Sequence, residues 1–504
     1  VQRMAQLSTF FIFAGLITYL YGRSLLATKT VKAYLIMSGS VGLFTFLAMI
    51  SKENGILLPL LIGVIEITVV ASQQQRIVAL NRYWGIVFIV VPATAIALYL
   101  GDRVFRDDFF DVVPPRDYSA YEGLLTQPRV LVDYLKHWFI PELYTSGVFQ
   151  DHVIKSTGIL SPVTTLLSVL LHLAAVSIAL VMRRKWPLIA LATLFFYGSL
   201  VLESSVLNLE LYFEHRNYLA AAFLVLPLIV SLQKKLSRST FIAVALGALL
   251  VLASFTRYSA TVWEDYPSMV EASARKAPMS ARAQSQYSTN LYNDRRYDES
   301  LQVIDRAIQS NPNNYYLQLT RGTILCSLGV LTASDFEQIS RVVSGNIYDP
   351  RSIELYTTFA SSVVNGKCPD VSMEALGAMF ANMLRIPYNA DPRSLRYSQI
   401  KYFVGFVDTH AGRPSQAVAA FKESLQARPG ASHAMLMAAH LATGEYHDEA
   451  LYFSDLALSQ LDDVQEGLLQ GSRVGEADIR EFQAIVRADR DAARKQGHDR
   501  RQPQ

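Results

Sequence analysis

Residues 164–185 read TTLLSVLLHLAAVSIALVMRRK, an apolar run that ends in three basic residues. A helix that crosses a membrane needs about 20 mostly apolar residues, because each backbone amide in hydrocarbon must be hydrogen-bonded within its own helix. The basic residues that follow are typical of the cytoplasmic end of such a helix. The segment therefore predicts a transmembrane helix that ends on the cytoplasmic side.

Similar runs occur throughout the first half of the chain. The candidate spans are 5–22, 33–50, 55–71, 84–100, 164–182, 186–202, 219–232 and 241–256. Only 18% of the 504 residues are charged, compared with about 25% in an ordinary soluble protein. This composition excludes a soluble enzyme, a disordered chain and a collagen-like fibre. Two cysteines exclude a disulfide-rich secreted scaffold, and without a long basic run the sequence gives no indication of nucleic-acid binding.

The charges between the spans predict the orientation of the chain in the membrane. Alternate connections are short and basic, and they contain Arg23, Lys29, Lys32, Arg76, Arg82, Arg183, Arg184, Lys185, Lys234, Lys235 and Arg238. Cytoplasmic loops carry the excess of Lys and Arg, so residue 1 and the C-terminal half are both expected on the outer side, unless one helix is miscounted. Because Val1 leads directly into a span, we expect the sequence to be a piece of a longer protein. If that protein starts in the cytoplasm, an odd number of spans precedes Val1.

The second half has a repeat of roughly 34 residues with helical periodicity. Tetratricopeptide repeats (TPRs) have this length, and each consists of two crossing helices that must stack on their neighbours. The best copy is 398–431, in which the expected positions are occupied by Gly405, Ala417, Phe421 and Pro429. Looser copies lie at 281–314 and 432–462, and 315–397 is compatible with degenerate repeats.

The predicted fold is all-α, a polytopic transmembrane helix bundle followed by a soluble α-solenoid of the TPR type. The predicted divisions are a transmembrane domain at 1–256 with an outer loop at 101–163, a linker at 257–279, a repeat domain at 280–484 and a charged, disordered tail at 485–504. Cys326 and Cys368 fall in the repeat domain. There they either form a disulfide or fill small buried apolar positions.

Polar residues on the outer side, next to the spans, are where we expect function. The first such cluster is Ser51-Lys52-Glu53-Asn54, between the second and third spans. A Lys ammonium at this depth can meet a lipid phosphate as a compact point charge, and the N-terminal amides of the following helix can point at the same anion. The alternative is a solvated turn.

The second cluster lies within residues 203–218. Its polar members close to the next span are Glu210, Glu214, His215, Arg216 and Asn217. Polar groups so close to hydrocarbon need partners. Arg216 can pair with Glu214 as a structural bridge, or its guanidinium can hold a phosphate bidentately.

The third cluster is the long outer loop. Asp107 and Asp108 lie near its start, where a general base and a solvated acidic loop are both compatible with the sequence. Residues 127–138 predict an amphipathic helix in the membrane interface, with an apolar face formed by Val130, Leu131, Tyr134, Leu135 and Trp138. Glu66, within the third span, is expected to face cytoplasmic headgroups or another helix. No residue spacing predicts a metal site or a Ser-His-Asp arrangement.

Five segments, in this order and ahead of the repeats, resemble a known group of proteins. They are VQRM (1–4), SKENGILLPLLIGVIE (51–66), LLTQPRVLVDYLKHWFIP (124–141), ESSVLNLELYFEHRNYLA (203–220) and VWEDYPSM (262–269). Nearly the whole chain resembles bacterial membrane proteins with C-terminal TPRs. These are related to the animal ER O-mannosyltransferases of the transmembrane-plus-repeat type, and both belong to the GT-C class of glycosyltransferases. The second and fourth segments are the most specific.

The resemblance implies an enzyme of the bacterial inner membrane with its repeat domain in the periplasm. Such an enzyme takes a sugar from a polyprenyl-phosphate carrier and transfers it, on the outer side of the membrane, to a protein or glycan hydroxyl. By this analogy Lys52, with Glu53 beside it, contacts the carrier phosphate, and His215 or Arg216 makes a second contact. Further candidates for the site are Glu214, Asn217, Asp107 and Asp108.

The resemblance also places the catalytic carboxylate of the class in an outer loop upstream of Val1. We therefore assign no catalytic residue and expect this piece alone to be inactive. Many GT-C enzymes use a divalent metal, although no cofactor is evident in this sequence. The repeats would offer a groove to partner proteins, including an extended acceptor.

Two other functions are compatible with the same residues. One is a non-catalytic membrane scaffold whose repeats gather partners for envelope or pilus assembly. The other is a polymerase or ligase of lipid-linked glycans, which would use the same outer basic residues. The acceptor distinguishes a polymerase or ligase from a protein glycosyltransferase. Deletion of the gene would remove long-chain surface polysaccharide if the protein is a polymerase or ligase, and protein glycosylation if it is a protein glycosyltransferase.

Overall fold

The computed structural model describes residues 2–73, 78–106, 109–111, 118–140, 142, 147–207, 209–461 and 474–495. It is 76% helix, and these residues contain no β-strand, which confirms the predicted all-α class. The chain divides into two compact units, Val1–Ala272 and Ser273–Gln504. The first unit contains the apolar runs, and the second contains the predicted repeats.

The first unit is built mainly from long apolar helices. They are α1 (Arg3–Ser24), α2 (Thr30–Ser51), α3 (Glu53–Val70), α4 (Arg82–Val104), α5 (Ala120–Phe139), α6 (Thr164–Met182), α7 (Pro187–Leu200), α8 (Glu214–Lys235) and α9 (Arg238–Val262). All except α5 and α7 are long and apolar enough to cross a membrane, so the described chain has seven such helices, as in a multi-pass membrane protein. They coincide with seven of the eight predicted spans.

The predicted span at 186–202 is shorter than expected and buried. Helix α7 has 14 residues and is about 21 Å long at 1.5 Å per residue, less than the roughly 30 Å of a hydrocarbon core. It packs along the whole of α3, and Phe195, Phe196 and Leu200 are almost completely buried. A helix enclosed by protein does not have to match the bilayer, because its ends contact protein instead of lipid. Apolar composition alone therefore overestimated its length.

A buried ion pair joins α1 to α3. The Glu66 carboxylate accepts hydrogen bonds from the Tyr19 hydroxyl and from Arg23 Nε, each at 2.9 Å. The Arg23 side chain is only 6% exposed, so each charge depends on the other for compensation. Glu66 was predicted to face either cytoplasmic headgroups or another helix, and in the structure it faces another helix.

The predicted amphipathic helix is present as α5, but its apolar face packs on protein. Ser119 and Glu122 form a capping box that starts the helix. Val130 and Tyr134 are buried, and His172 of α6 bonds to the carbonyl of Pro128 at 2.8 Å. The face predicted to enter the membrane interface is therefore partly covered by the bundle. Trp138, which was predicted on that face, is 43% exposed.

The rest of the chain forms shorter helices joined mostly in pairs. They are α10 (Tyr266–Lys276), α11 (Ala281–Asn293), α12 (Tyr297–Ser310), α13 (Tyr315–Ser327), α14 (Ala333–Ser344), α15 (Ile353–Val364), α16 (Met373–Met383), α17 (Leu395–His410), α18 (Pro414–Ala427), α19 (Ala431–Thr443), α20 (His447–Ser459) and α21 (Glu476–Lys495). The end of α9 and helix α10 occupy most of the predicted linker at 257–279.

The helices α11 to α20 form five successive pairs, and the first helix of each pair packs on the first helix of the next. Stacked helical repeats bury their apolar faces in this way. The three predicted copies fall on the first, fourth and fifth pairs. In the fourth pair a Cβ on Gly405 would lie 2.5 Å from the Phe421 ring, so glycine is required where α17 and α18 cross.

Cys326 and Cys368 form a disulfide, with Cα atoms 4.9 Å apart, and both residues are buried. The sequence left open a disulfide or two separate buried thiols, and the structure has the disulfide. The bond joins the end of α13 to the segment between α15 and α16. It therefore lies within the region predicted to hold degenerate repeats, which contains the second and third helix pairs.

The tail predicted to be disordered at 485–504 is helical as far as Lys495, the end of α21. Two apolar side chains of this helix, Ile479 and Val486, are buried. Arg490 Nη1 also lies 3.0 Å from Asp448 Oδ1 of α20. These contacts are non-local, so the polar composition of the segment did not reveal them. Residues 496–504 lie outside the described part.

Two buried histidines should make the second unit sensitive to acid. Burial lowers the pKa of His433 and of His440 to about 4, from 6.5. The unfolded chain binds protons at these side chains below about pH 6.5, whereas the folded unit does so only near pH 4. Each neutral histidine therefore contributes about 3 kcal/mol to the free energy of unfolding. This contribution is complete above pH 6.5 and is lost as the pH falls toward 4. We expect amide hydrogen exchange in α17–α20, corrected for intrinsic rates, to become faster as the pH is lowered from 6.5 to 4.

The variant His433→Asn keeps a donor for the Arg428 carbonyl, to which His433 Nδ1 bonds at 2.9 Å. It should weaken the acid dependence, because it removes one of the two buried titrating groups. His447→Asn, on α20, is the control. Equal acid dependence in wild type and His433→Asn would contradict this explanation.

Candidate functional site

The turn between α2 and α3 positions Lys52. The Lys52 backbone is extended (φ −163°, ψ 145°), and its amide donates to the Ala48 carbonyl at 2.9 Å. The Gly55 amide in turn donates to the Lys52 carbonyl at 2.9 Å. A Cβ on Gly55 would lie 2.1 Å from the Ala48 carbonyl carbon, so only glycine lets α3 begin this close to α2. The tight turn places Lys52 at the shared end of the two helices.

The segment between α7 and α8 brings a second cation to the same place. Phe213 is fixed by the Tyr134 hydroxyl of α5, which accepts from the Phe213 amide at 2.9 Å and donates to the Phe213 carbonyl at 2.8 Å. Burial raises the pKa of Tyr134 to about 12, so this hydroxyl stays protonated and can donate. Arg216 follows in the first turn of α8, with its guanidinium carbon 5.4 Å from the Phe213 ring centroid.

Lys52, Glu203 and Arg216 form what we call the Lys52 cluster. Lys52 Nζ donates to Glu203 Oε1 at 2.6 Å, and Arg216 Nε lies 3.9 Å from the same oxygen. The three side chains are 17%, 8% and 4% exposed. Two cations therefore share one carboxylate in a setting where an unbalanced charge is costly. Arg216 Nη1 and Glu203 Oε2 are both buried without a hydrogen-bond partner, but with two cations for one carboxylate the cluster carries an excess of positive charge that an added anion would balance.

A shallow cleft, open to solvent, lies beside the Lys52 cluster. It is lined by Ala5, Ser8, Thr9, Lys52, Asn54, His215, Arg216, Tyr218 and Leu219. Like Arg216 Nη1, Ser8 Oγ is buried and has no hydrogen-bond partner. Each such unsatisfied group costs about 1–3 kcal/mol. A ligand with several acceptor oxygens and a negative charge would satisfy both donors.

Three residues predicted to bind a lipid phosphate, Lys52, His215 and Arg216, line this cleft together. Glu53, predicted beside Lys52, lies exposed at the first residue of α3. One amide of the α3 N-terminus, that of Gly55, is already bonded to the turn. The cations that line the cleft are side chains of Lys52 and Arg216.

The other predicted site residues are placed differently. Glu214 is half-buried and acts electrostatically on the Tyr134 hydroxyl. Asn217 is buried, and its Oδ1 has no hydrogen-bond partner. Asp107 and Asp108 lie outside the described residues, so their predicted role is not addressed by the structure.

Sequence reasoning missed the contribution of α1 and the role of Glu203. Ser8 and Thr9 enter the cleft from α1, and the only sequence signal for them is a pair of hydroxyl residues within an apolar run. Glu203 was noted only as the start of the second cluster. In the structure its carboxylate joins Lys52 to Arg216, whereas the bridge predicted for Arg216 was to Glu214.

No group of three His, Cys, Asp or Glu side chains suited to a metal ion occurs within the described part of the chain. Comparison of the sequence with protein families and with characterised proteins finds no significant match. The site is therefore described by its own geometry, as two clustered cations and unsatisfied donors in a cleft at the helix ends.

The turn geometry predicts that Gly55→Ala will destabilise the first unit. The added methyl would overlap the Ala48 backbone, so α3 would have to move and carry Lys52 away from Glu203. Gly39→Ala is the matched control, because a Cβ at Gly39 meets nothing within 4 Å and alanine favours a helix. We expect a lower melting temperature for Gly55→Ala and an equal or higher one for Gly39→Ala, measured in detergent. Equal stability of both variants would contradict the proposed packing.

Proposed function

We propose that this chain belongs to a membrane glycosyltransferase that uses a polyprenyl-phosphate-linked sugar and glycosylates a protein or glycan. The observation that carries the proposal is the buried Arg216 guanidinium, which has an unpartnered Nη1 beside Lys52 in an open cleft. Phosphate oxygens match a guanidinium bidentately, and an ammonium meets them as a point charge. Ser8 and His215 supply further polar contacts in the same wall.

In this proposal the cations act on the leaving group. The acceptor oxygen bonds to the anomeric carbon, the bond from that carbon to the phosphate oxygen breaks, and its electron pair stays on the phosphate. Lys52 and Arg216 stabilise the negative charge that accumulates there, as fixed positive groups do best where water is excluded. The acceptor proton goes to a general base, to which we assign no residue.

Two observations support a site on the outer side of a bacterial inner membrane. The basic connections alternate along the chain, and Lys52 and Glu203 both lie in the intervening set. The disulfide between Cys326 and Cys368 is typical of an oxidising compartment such as the periplasm. The alternation requires α7 to cross the membrane as its neighbours do. This agrees with the packing of α7 along the whole of α3.

The second unit would then act as a periplasmic TPR domain. Its successive helix pairs, with first helices stacked on one another, support this assignment. Repeat arrays of this kind present extended surfaces to partner chains. We propose that this surface receives the acceptor protein.

The phosphate-binding part of the proposal predicts that Lys52→Ala and Arg216→Ala weaken binding of methyl phosphate to the intact protein in detergent. Charge-assisted hydrogen bonds contribute about 1.5–3 kcal/mol, so we expect a loss of about tenfold or more for each variant. Arg106→Ala is the control, because Arg106 forms an exposed pair with Asp102. In the full-length enzyme, Lys52→Ala should also abolish sugar transfer. Unchanged binding and transfer in both site variants would reject this function.

The orientation predicts the reactivity of single cysteines toward a membrane-impermeant maleimide. The native cysteines are joined in a disulfide and give little background. Glu53→Cys and Tyr388→Cys, both at exposed positions, should react in intact spheroplasts. Arg184→Cys, in a basic connection, should react only after permeabilisation. The orientation is wrong if Glu53→Cys and Tyr388→Cys react on opposite sides.

A further inference from the structure

A second group of polar side chains lies on α5. Asp133 and His137 are four residues apart and therefore share a face of the helix. The Tyr212 hydroxyl donates to Asp133 Oδ2 at 2.8 Å and lies 3.2 Å from His137 Nδ1. We call these three residues the Asp133 group. Burial, reinforced by the Asp133 carboxylate, raises the pKa of Tyr212, so its hydroxyl remains a donor.

The Asp133 group has hydrogen-bonding capacity left over. Asp133 Oδ1 and His137 Nε2 make no hydrogen bond to any described residue, and the nearest carboxylate oxygen to Nε2, that of Glu142, is 3.6 Å away. The side chains of Asp133 and His137 are 40% and 21% exposed. Both side chains are therefore partly accessible to solvent. A carboxylate acceptor beside an imidazole is suited to neighbouring hydroxyls, each of which can donate and accept.

The Asp133 group adjoins the Lys52 cluster along two chain segments. Tyr212 is four residues before Arg216, so their Cα atoms cannot be more than about 14 Å apart. Asp133 directly precedes Tyr134, whose hydroxyl holds the Phe213 backbone at 2.8 and 2.9 Å. The rings of Tyr134 and Tyr212 also pack with centroids 4.8 Å apart. The packed rings of Tyr134 and Tyr212 therefore link the Asp133 group to the segment that carries Arg216.

We propose that the Asp133 group is a sugar-binding subsite that holds hydroxyls of the donor hexose while the Lys52 cluster holds its phosphate. This inference rests on the proposed function and adds the residues that recognise the sugar. Asp133 Oδ1 accepts from one hydroxyl, and His137 Nε2 bonds to another. Tyr212 orients both side chains.

The competing explanation is a purely structural role, in which the bond between Tyr212 and Asp133 only attaches α5 to the loop that precedes α8. Asp133→Asn separates the two. The amide oxygen can still accept from Tyr212 and keep the fastening, while the outward acceptor is replaced by a donor. His137→Phe removes the ring nitrogens and keeps the ring. Lys136→Ala, on the same helix with a side chain 49% exposed, is the control.

The test measures the affinity of the intact protein in detergent for methyl phosphate and for mannose, glucose and N-acetylglucosamine 1-phosphates. We expect at least one hexose phosphate to bind wild type about tenfold more tightly than methyl phosphate. Asp133→Asn and His137→Phe should bring this ratio close to one without changing the affinity for methyl phosphate, and Lys136→Ala should preserve it.

A ratio near one for all three sugars in wild type, or an unchanged ratio in both variants, would overturn the subsite and leave the phosphate site standing. Absence of methyl phosphate binding to wild type would instead remove the proposed function, and the subsite with it. A lower melting temperature of Asp133→Asn with an unchanged ratio would establish the structural role.

Discussion

Lys52 and Arg216 both face one carboxylate oxygen of Glu203, at 2.6 and 3.9 Å. The three residues come from the α2–α3 turn, the segment after α7 and the first turn of α8, so the cluster forms only when all three elements are in place. Removal of one partner from a buried ion pair costs about 3–5 kcal/mol, because the remaining charge is uncompensated. The excess of positive charge is thus coupled to the packing of the first unit, and it is also the feature that suits the site to an anion.

Helix α5 connects the Lys52 cluster to a solvent-accessible surface. Tyr134 faces inward and binds the Phe213 backbone, whereas its neighbour Asp133 faces the solvent-accessible side. Adjacent residues on a helix point in different directions, so one short segment can both fix a loop and present polar atoms. The bond from His172 to the Pro128 carbonyl attaches the same helix to α6. These attachments explain why α5 packs on the bundle although its composition is that of an interfacial helix.

The second unit is stabilised by different means. Its pairs of helices stack through an apolar core rich in aromatic side chains, and the disulfide joins the second pair to the third. Hydroxyl side chains occur at the helix crossings, where Ser288 meets Ser300 and Ser398 meets Ser424. Small residues there let the paired helices approach closely. A regular array of this kind can offer a long surface to a partner while the first unit carries the charged cleft.

The sequence by itself determined the all-α class, seven helices long and apolar enough to span a membrane and the positions of three helical pairs, and its resemblance to the GT-C class implied the association of Lys52 with His215 and Arg216. These features depend on local composition and periodicity, or on the shared side of alternate loops, and both can be read along the chain. Only the tertiary structure decided that Glu203 is the partner of Lys52, 151 residues away, that Ser8 joins the cleft, that α7 is buried and that α21 extends the second unit. A partner so distant in sequence is chosen by which helix ends meet in space, and no local pattern encodes that meeting.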